Sequence, residues 1–132
     1  MALNWVKLNG TSFDARVAIS EYEENFNVLD GENAGRVMTG RMIRDIIGTY
    51  IGHKVTFFNT GNNEAFDELW DFLIEHSVDD SITLEAVDGQ KQISYEAYYT
   101  SGTRKLHSAT KDSAKWGSIT INFIPMEAQV TP

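Results

Sequence analysis

The sequence predicts a mainly β, antiparallel sandwich or barrel with one flanking α-helix at about residues 63–76 and a long extended arm at about 27–58. Three observations carry this reading. Apolar and polar residues alternate with period two in several separate runs, the signature of half-buried strands. Two dipeptides, Asn9-Gly10 and Asp88-Gly89, are hairpin-turn signals set between such runs. The apolar period lengthens to that of a helix in one stretch, between Asn63 and His76.

The elements follow in order. Trp5, Val6 and Leu8 make a short strand that turns at Asn9-Gly10. Phe13, Ala15, Val17 and Ile19 then alternate with Asp14, Arg16, Ala18 and Ser20. The phase slips afterwards, because Tyr22, Phe26 and Val28 are apolar at even positions, so a bulge or bend is expected near Ser20–Glu21. Within Asn27–Phe58, glycines at 31, 35, 40, 48 and 52 interrupt short apolar bursts, which requires the chain to bend or approach something closely. Strands are expected at Val37–Met42 and Thr49–Phe58; the central Met42–Ile51 reads as either strand or a short helix, β-branched Ile43, Ile46, Ile47 and Ile51 favouring strand.

In the helix, Phe66, Leu69, Trp70, Leu73 and Ile74 form the apolar stripe. Glu64, Asp67, Glu68, Asp71 and Glu75 take the other face, and Asn62 or Asn63 suits an N-cap. Counting outward from Asp88-Gly89 pairs Leu84 with Ile93 and Ile82 with Tyr95. Ser101-Gly102-Thr103 breaks the second strand of that hairpin. A polar connection from His107 to Lys115 leads to a closing strand in which Ile119, Ile121 and Phe123 alternate with Thr120 and Asn122, ending at Pro125.

Composition bounds the function. The length of 132 residues fits one domain, 1–132, with a modest core, and the 42% hydrophobic share fits a globular chain. No run of eighteen apolar residues suggests a membrane span, and the first residues carry no signal-peptide pattern. There is no cysteine, hence no disulfide or thiolate metal site. The net charge of −8 is uneven: residues 1–60 hold six basic and seven acidic side chains, residues 61–132 five and twelve. Such a surface argues against phosphate-directed binding of nucleic acid.

The search for chemistry returns little. Asp30–Gly35 resembles the start of a calcium loop, but Ala34 and Arg41 stand where oxygen ligands are required. His53, His76 and His107 lack zinc-ligand spacing and read as surface or capping residues. Glu23-Glu24 and Asp79-Asp80 read as solvated pairs. No nucleophile elbow, phosphate loop or dinucleotide fingerprint is present, so neither catalysis nor a cofactor is expected. Arg36, Arg41 and Arg44 suit carboxylate partners on this chain or a neighbour.

The run from Leu29 to Tyr50, LDGENAGRVMTGRMIRDIIGTY, resembles a stretch found in small tail proteins of phages and prophages of Gram-positive bacteria. The pattern there is V-L-D-G-x-N-A-G-R, a variable spacer, then R-D-I-I-G-T. Val28–Arg36 and Arg44–Thr49 match it, while Leu8-Asn9-Gly10 and Trp116–Phe123 fit more loosely. The resemblance implies a tail-tube-like or distal-tail-like fold and a structural role in the virion tail, in rings (usually hexamers) around a DNA channel. It implies partners among copies of the chain and other tail proteins, and synthesis in the bacterial cytoplasm. The residues expected at the subunit interface are Arg36, Arg41, Arg44, Asp45, Gly35, Gly40, Gly48 and Tyr50. A tail assembly factor absent from the virion, or a small ligand-binding β-barrel, are the alternative readings.

Overall fold

The computed structural model describes residues 6–12, 18–60 and 63–132. The strands are β1 (Val6–Leu8), β2 (Thr11–Ser12), β3 (Ala18–Asp30), β4 (Gly35–Arg36), β5 (Met42–Ile43), β6 (Ile46–Phe58), β7 (Ile82–Asp88), β8 (Lys91–Tyr98), β9 (Gly102–Ala109) and β10 (Ala114–Pro125). Helix α1 spans Asn63–Glu75 and runs into a 3-10 turn, His76–Val78. The architecture is therefore mostly antiparallel β with one helix, as the sequence predicts. No helix among the described residues is long and apolar enough to cross a membrane.

Two four-stranded arrays share β10. In the first, the order is β2-β1-β7-β8; in the second, β9-β10-β6-β3. The end of β10 joins them, with Ile124 opposite Tyr98 and Pro125 opposite Ala97. The predicted hairpin at Asn9-Gly10 is present: both residues have positive φ, 50° and 84°, which this tight turn demands. The predicted irregularity appears as a register shift between Ile19 and Glu21 in β3. The alternation at Phe13–Val17, like Trp5 and Asn62, lies outside the described residues.

The core is one apolar cluster. Val6, Leu8, Leu84 and Ala86 enter it from the first array, Val55, Phe57, Ile119, Ile121 and Phe123 from the second, and Phe66, Leu69 and Leu73 from α1. Trp70 is half-buried and Ile74 is 56% exposed, so the buried stripe of α1 is narrower than its apolar stripe. Asn63 opens the helix, its Oδ1 accepting from Asn59 Nδ2 at 2.7 Å.

Four expectations are corrected. Val37–Met42 is not a strand: Gly40, at φ 84°, closes a turn in which its N–H donates to Val37 O, leaving only the short β4–β5 pair around it. The β7–β8 turn is Gly89-Gln90 rather than Asp88-Gly89, because Gly89 takes the positive φ and Asp88 pairs with Lys91. Leu84 therefore faces Tyr95 and Ile82 faces Ala97. That slip of two residues preserves which face each side chain takes. The break after β8 is Tyr99–Ser101, and Gly102-Thr103 already belongs to β9. Finally, His107–Lys115 is no mere connection, since β9 continues to Ala109 and β10 begins at Ala114. Polar residues hide this hairpin because β9 is exposed except at Arg104.

Leu69 is fully buried against both arrays. Leu69→Ala is expected to lower unfolding stability by about 2–5 kcal/mol, and Ile74→Ala by less than about 0.5 kcal/mol, both measured by urea denaturation.

Candidate assembly surface

Strand β10 stops pairing with β6 at the Phe123–His53 pair. Beyond that point β3 and β6 continue as a two-stranded ribbon, from Asn25 opposite Gly52 to Asp30 opposite Ile46. This ribbon is the arm. The segment 27–58 is thus a folded hairpin limb rather than one extended strand, and its base, with His53, Val55 and Phe57 buried, belongs to the core. A lone ribbon is marginally stable in water. Here residues after Pro125 brace it. Thr49 N–H donates to Val130 O at 2.8 Å, and Gln129 N–H donates to Thr49 O at 3.0 Å. The Gln129 side chain imitates a peptide: its Oε1 accepts from Ile51 N–H and its Nε2 donates to Ile51 O, each at 2.9 Å.

The tip is closed by Gly31 N–H donating to Asp45 O at 2.6 Å. Arg44 Nε pairs with Asp30 Oδ1 at 2.9 Å, and this guanidinium holds the Asp30 carboxyl below its ordinary range. Arg36 donates to Gly40 O at 3.0 Å. Among the described residues, Arg36 and Arg41 form no ion pair.

The arm is unusually apolar for exposed chain. Phe26 (70% exposed), Val28 and Leu29 project from β3. Val37 and Met38 (wholly exposed) crown the tip, and Met42, Ile43, Ile46 and Ile47 continue down the returning limb. A contiguous patch of this kind marks a binding surface.

Of the residues expected at a subunit interface, Gly35, Arg36, Gly40 and Arg41 gather at the tip. Arg44 and Asp45 sit at its neck, with Arg44 spent on Asp30. Gly48 and Tyr50 lie lower, Gly48 buried against the bracing segment. A Cβ on Gly48 would stand 2.5 Å from Ala128 Cβ and 2.8 Å from Val130 O.

One cluster contradicts the sequence reading. His53 is fully buried, not a surface or capping residue. Its Nε2 lies 2.9 Å from Glu24 Oε2 and its Nδ1 2.6 Å from Tyr95 Oη. Glu24 is accordingly a partner of the core rather than a merely solvated acid. The neutral imidazole fits this geometry, with Nε2–H donating to the carboxylate and Nδ1 accepting from the phenol. Burial pulls the His53 pKa below its usual value, against the opposing pull of Glu24. Beside it, Tyr22 Oη accepts from Val87 N–H at 2.8 Å and donates to Val87 O at 3.0 Å, and burial pushes its phenol up to about 12. The signal was available: His53 shares parity with buried Val55 and Phe57. His76 follows the end of α1, its Nδ1 lying 2.6 Å from Asp79 Oδ2.

The second array has two open edges among the described residues. Among the described residues β3 pairs only with β6, and β9 only with β10. Exposed Glu21, Glu23 and Glu24 run along β3. The β9–β10 hairpin carries exposed Lys105, His107, Lys111 and Lys115 against one acid, Asp112. No group of three or more metal-ligating side chains occurs among the described residues.

No protein-family model matches the chain, and no curated protein matches it. Among solved structures, the chain is similar to the Dit protein of phage SPP1, described as a paradigm of the hub adsorption apparatus in phages that infect Gram-positive bacteria. The two are 11% identical with a TM-score of 0.49, over 95% of this chain and 50% of that one. The chain thus spans half the length of that protein.

Two outcomes follow. Because the fold favours neutral His53, its stabilisation is complete above the unfolded value of about 6.5 and is lost as pH falls below it toward the lowered folded value. His53→Gln is therefore expected to flatten the decline of the urea midpoint as pH falls below about 6.5. Gly48→Ala is expected to cost about 1–3 kcal/mol and to speed amide exchange at Thr49 and Val130, through displacement of the bracing segment.

Proposed function

We propose that this chain is a structural protein of a phage or prophage tail, of tail-tube or distal-tail (hub) type, whose copies join into a hexameric ring around the DNA channel. The observation that carries the assembly is the pair of open edges of opposite charge. In the array β9-β10-β6-β3 each neighbour is antiparallel, so β3 runs parallel to β10 and antiparallel to β9. A copy placed edge to edge in the same orientation sets its β9 beside β3 of the first and continues the antiparallel ladder. Lys105 of β9 then faces the glutamates of β3 across the junction, a favourable arrangement for cross-strand neighbours. The contact is head to tail, and such contacts close into rings when the rotation between copies permits. Joining the edges also removes two unpaired strand edges that would otherwise invite aggregation.

The motif from Val28 to Thr49 supports the tail setting. Its residues form the exposed arm, which suits contact with a neighbouring copy or another tail protein. The charge of −8 suits a channel that DNA passes without adhering.

Light scattering and negative-stain microscopy at rising concentration test this reading, with rings as the expected outcome. Glu21→Lys with Glu23→Lys is expected to weaken association by roughly 0.2–1 kcal/mol for each cross-strand charge pair lost. A chain that stays monomeric at every concentration refutes the proposal.

A further inference from the structure

The half of α1 facing β9, the 3-10 turn and the segment Tyr99–Gly102 enclose an open groove of about 500 Å³. That is within the range of about 300–1,000 Å³ typical of binding pockets. Trp70, Leu73, Ile74, Tyr99 and Ile121 make its wall. The floor is fixed, because Tyr99 Oη donates to Leu73 O at 2.6 Å and the Tyr99 ring meets Phe123 edge-on at 5.9 Å. The Trp70 face of the groove is held by Arg104, which stacks over the indole at 4.8 Å while bonding Asp67 at 3.1 Å. The rim is apolar and open at Ile74, which is 56% exposed.

With Arg104 taken up by Asp67, the unpaired charge beside the groove is acidic. Asp71 and Glu75 follow Trp70 and Ile74 by one residue, a helical turn apart, and both are exposed. Among the described residues neither forms an ion pair. The arm tip is the complement: wholly exposed Met38, next to Val37, stands between Arg36 and Arg41, two cations without carboxylate partners among the described residues.

The geometry points to the arm tip of one copy seated in the helix-side groove of another, with Met38 against Trp70 and Ile74, and Arg36 and Arg41 on Asp71 and Glu75. This rests on the assembly reading above and gives the arm its receptor. The occupant is a second copy because Met38 lies free of its own chain. A methionine suits the site, being flexible enough to fill an irregular groove and favourable against an aromatic ring. The contact adds to the strand-edge junction, which supplies the effective concentration that a small knob requires.

The absence of cysteine makes the test direct. Met38→Cys protein is mixed with Ile74→Cys protein under mild oxidation, and cross-linked peptides are mapped by mass spectrometry. A disulfide between positions 38 and 74 is expected, in excess of that formed between Met38→Cys and a control variant, Thr110→Cys. In parallel, Arg36→Glu with Arg41→Glu is expected to raise the concentration at which assembly begins about tenfold. Adding Asp71→Lys and Glu75→Lys in the same chain is expected to restore it. All these positions are exposed, and circular dichroism and urea midpoints confirm that each variant folds. Assemblies that form without the 38–74 cross-link, or that are indifferent to Met38→Asp, overturn the groove as receptor and leave the strand-edge assembly standing. A chain that is monomeric throughout overturns both.

Discussion

Strand β10 holds three partners along twelve residues, and the remainder of the fold depends on that sharing. Its first two thirds pair with β9, and Ser118–Ile121 lie between β9 and β6, with Ile119 facing both Arg104 and Phe57. Its last two residues turn to β8. Two register shifts around Trp116 and Ser118 give β10 the local twist that such a change of company requires. Inward-facing Ile119, Ile121 and Phe123 then meet α1 and the opposite array at once. Pro125 is tolerated because the ladder ends there, and Met126 N–H resumes bonding by donating to Glu96 O at 2.9 Å.

The arm exists because β10 leaves. Where β10 parts from β6 at His53, β6 loses a neighbour on that side, and the chain after Pro125 returns to cover Thr49 and Ile51. Farther out no strand among the described residues covers the ribbon, and there the sequence turns apolar on both limbs. Apolar residues placed where the fold offers no burial point to burial supplied by something else. In the body, by contrast, the large apolar cluster points inward, Ile74 and Val78 being among the exceptions, and acids line the helix surface.

How much of this was legible follows from what each signal encodes. Parity found the strands of the core, and helical period found α1, because burial on one face imposes both. Register was less legible: Asp88-Gly89 and Gly89-Gln90 differ by one residue in the turn, and only the positive φ at Gly89 separates them. The β9–β10 hairpin escaped because β9 is exposed and polar, so no apolar alternation marks it. His53 was readable from its parity with Val55 and Phe57, but residue type alone suggests a surface position. The bracing role of Gln129 had no local signal, since a side-chain amide bonding a distant peptide is a tertiary fact. The arm tip, finally, was readable as a glycine-hinged segment, but its hairpin form depends on β3 and β6 pairing across fifteen intervening residues, from Gly31 to Asp45.

The Tyr22 hydroxyl, which takes both the N–H and the C=O of Val87, gives the molecule an unequal pair of joints. Strand β3 is fastened to β6 by twelve registered residue pairs, whereas no strand pairing among the described residues joins it to β7, which it meets at this phenol. A pull on the arm is therefore carried along β6 into β10, while the seam at Val87 yields first. Strain arriving from a neighbour travels through the stiff joint and is relieved at the soft one, so the first array can stay folded while the second is loaded.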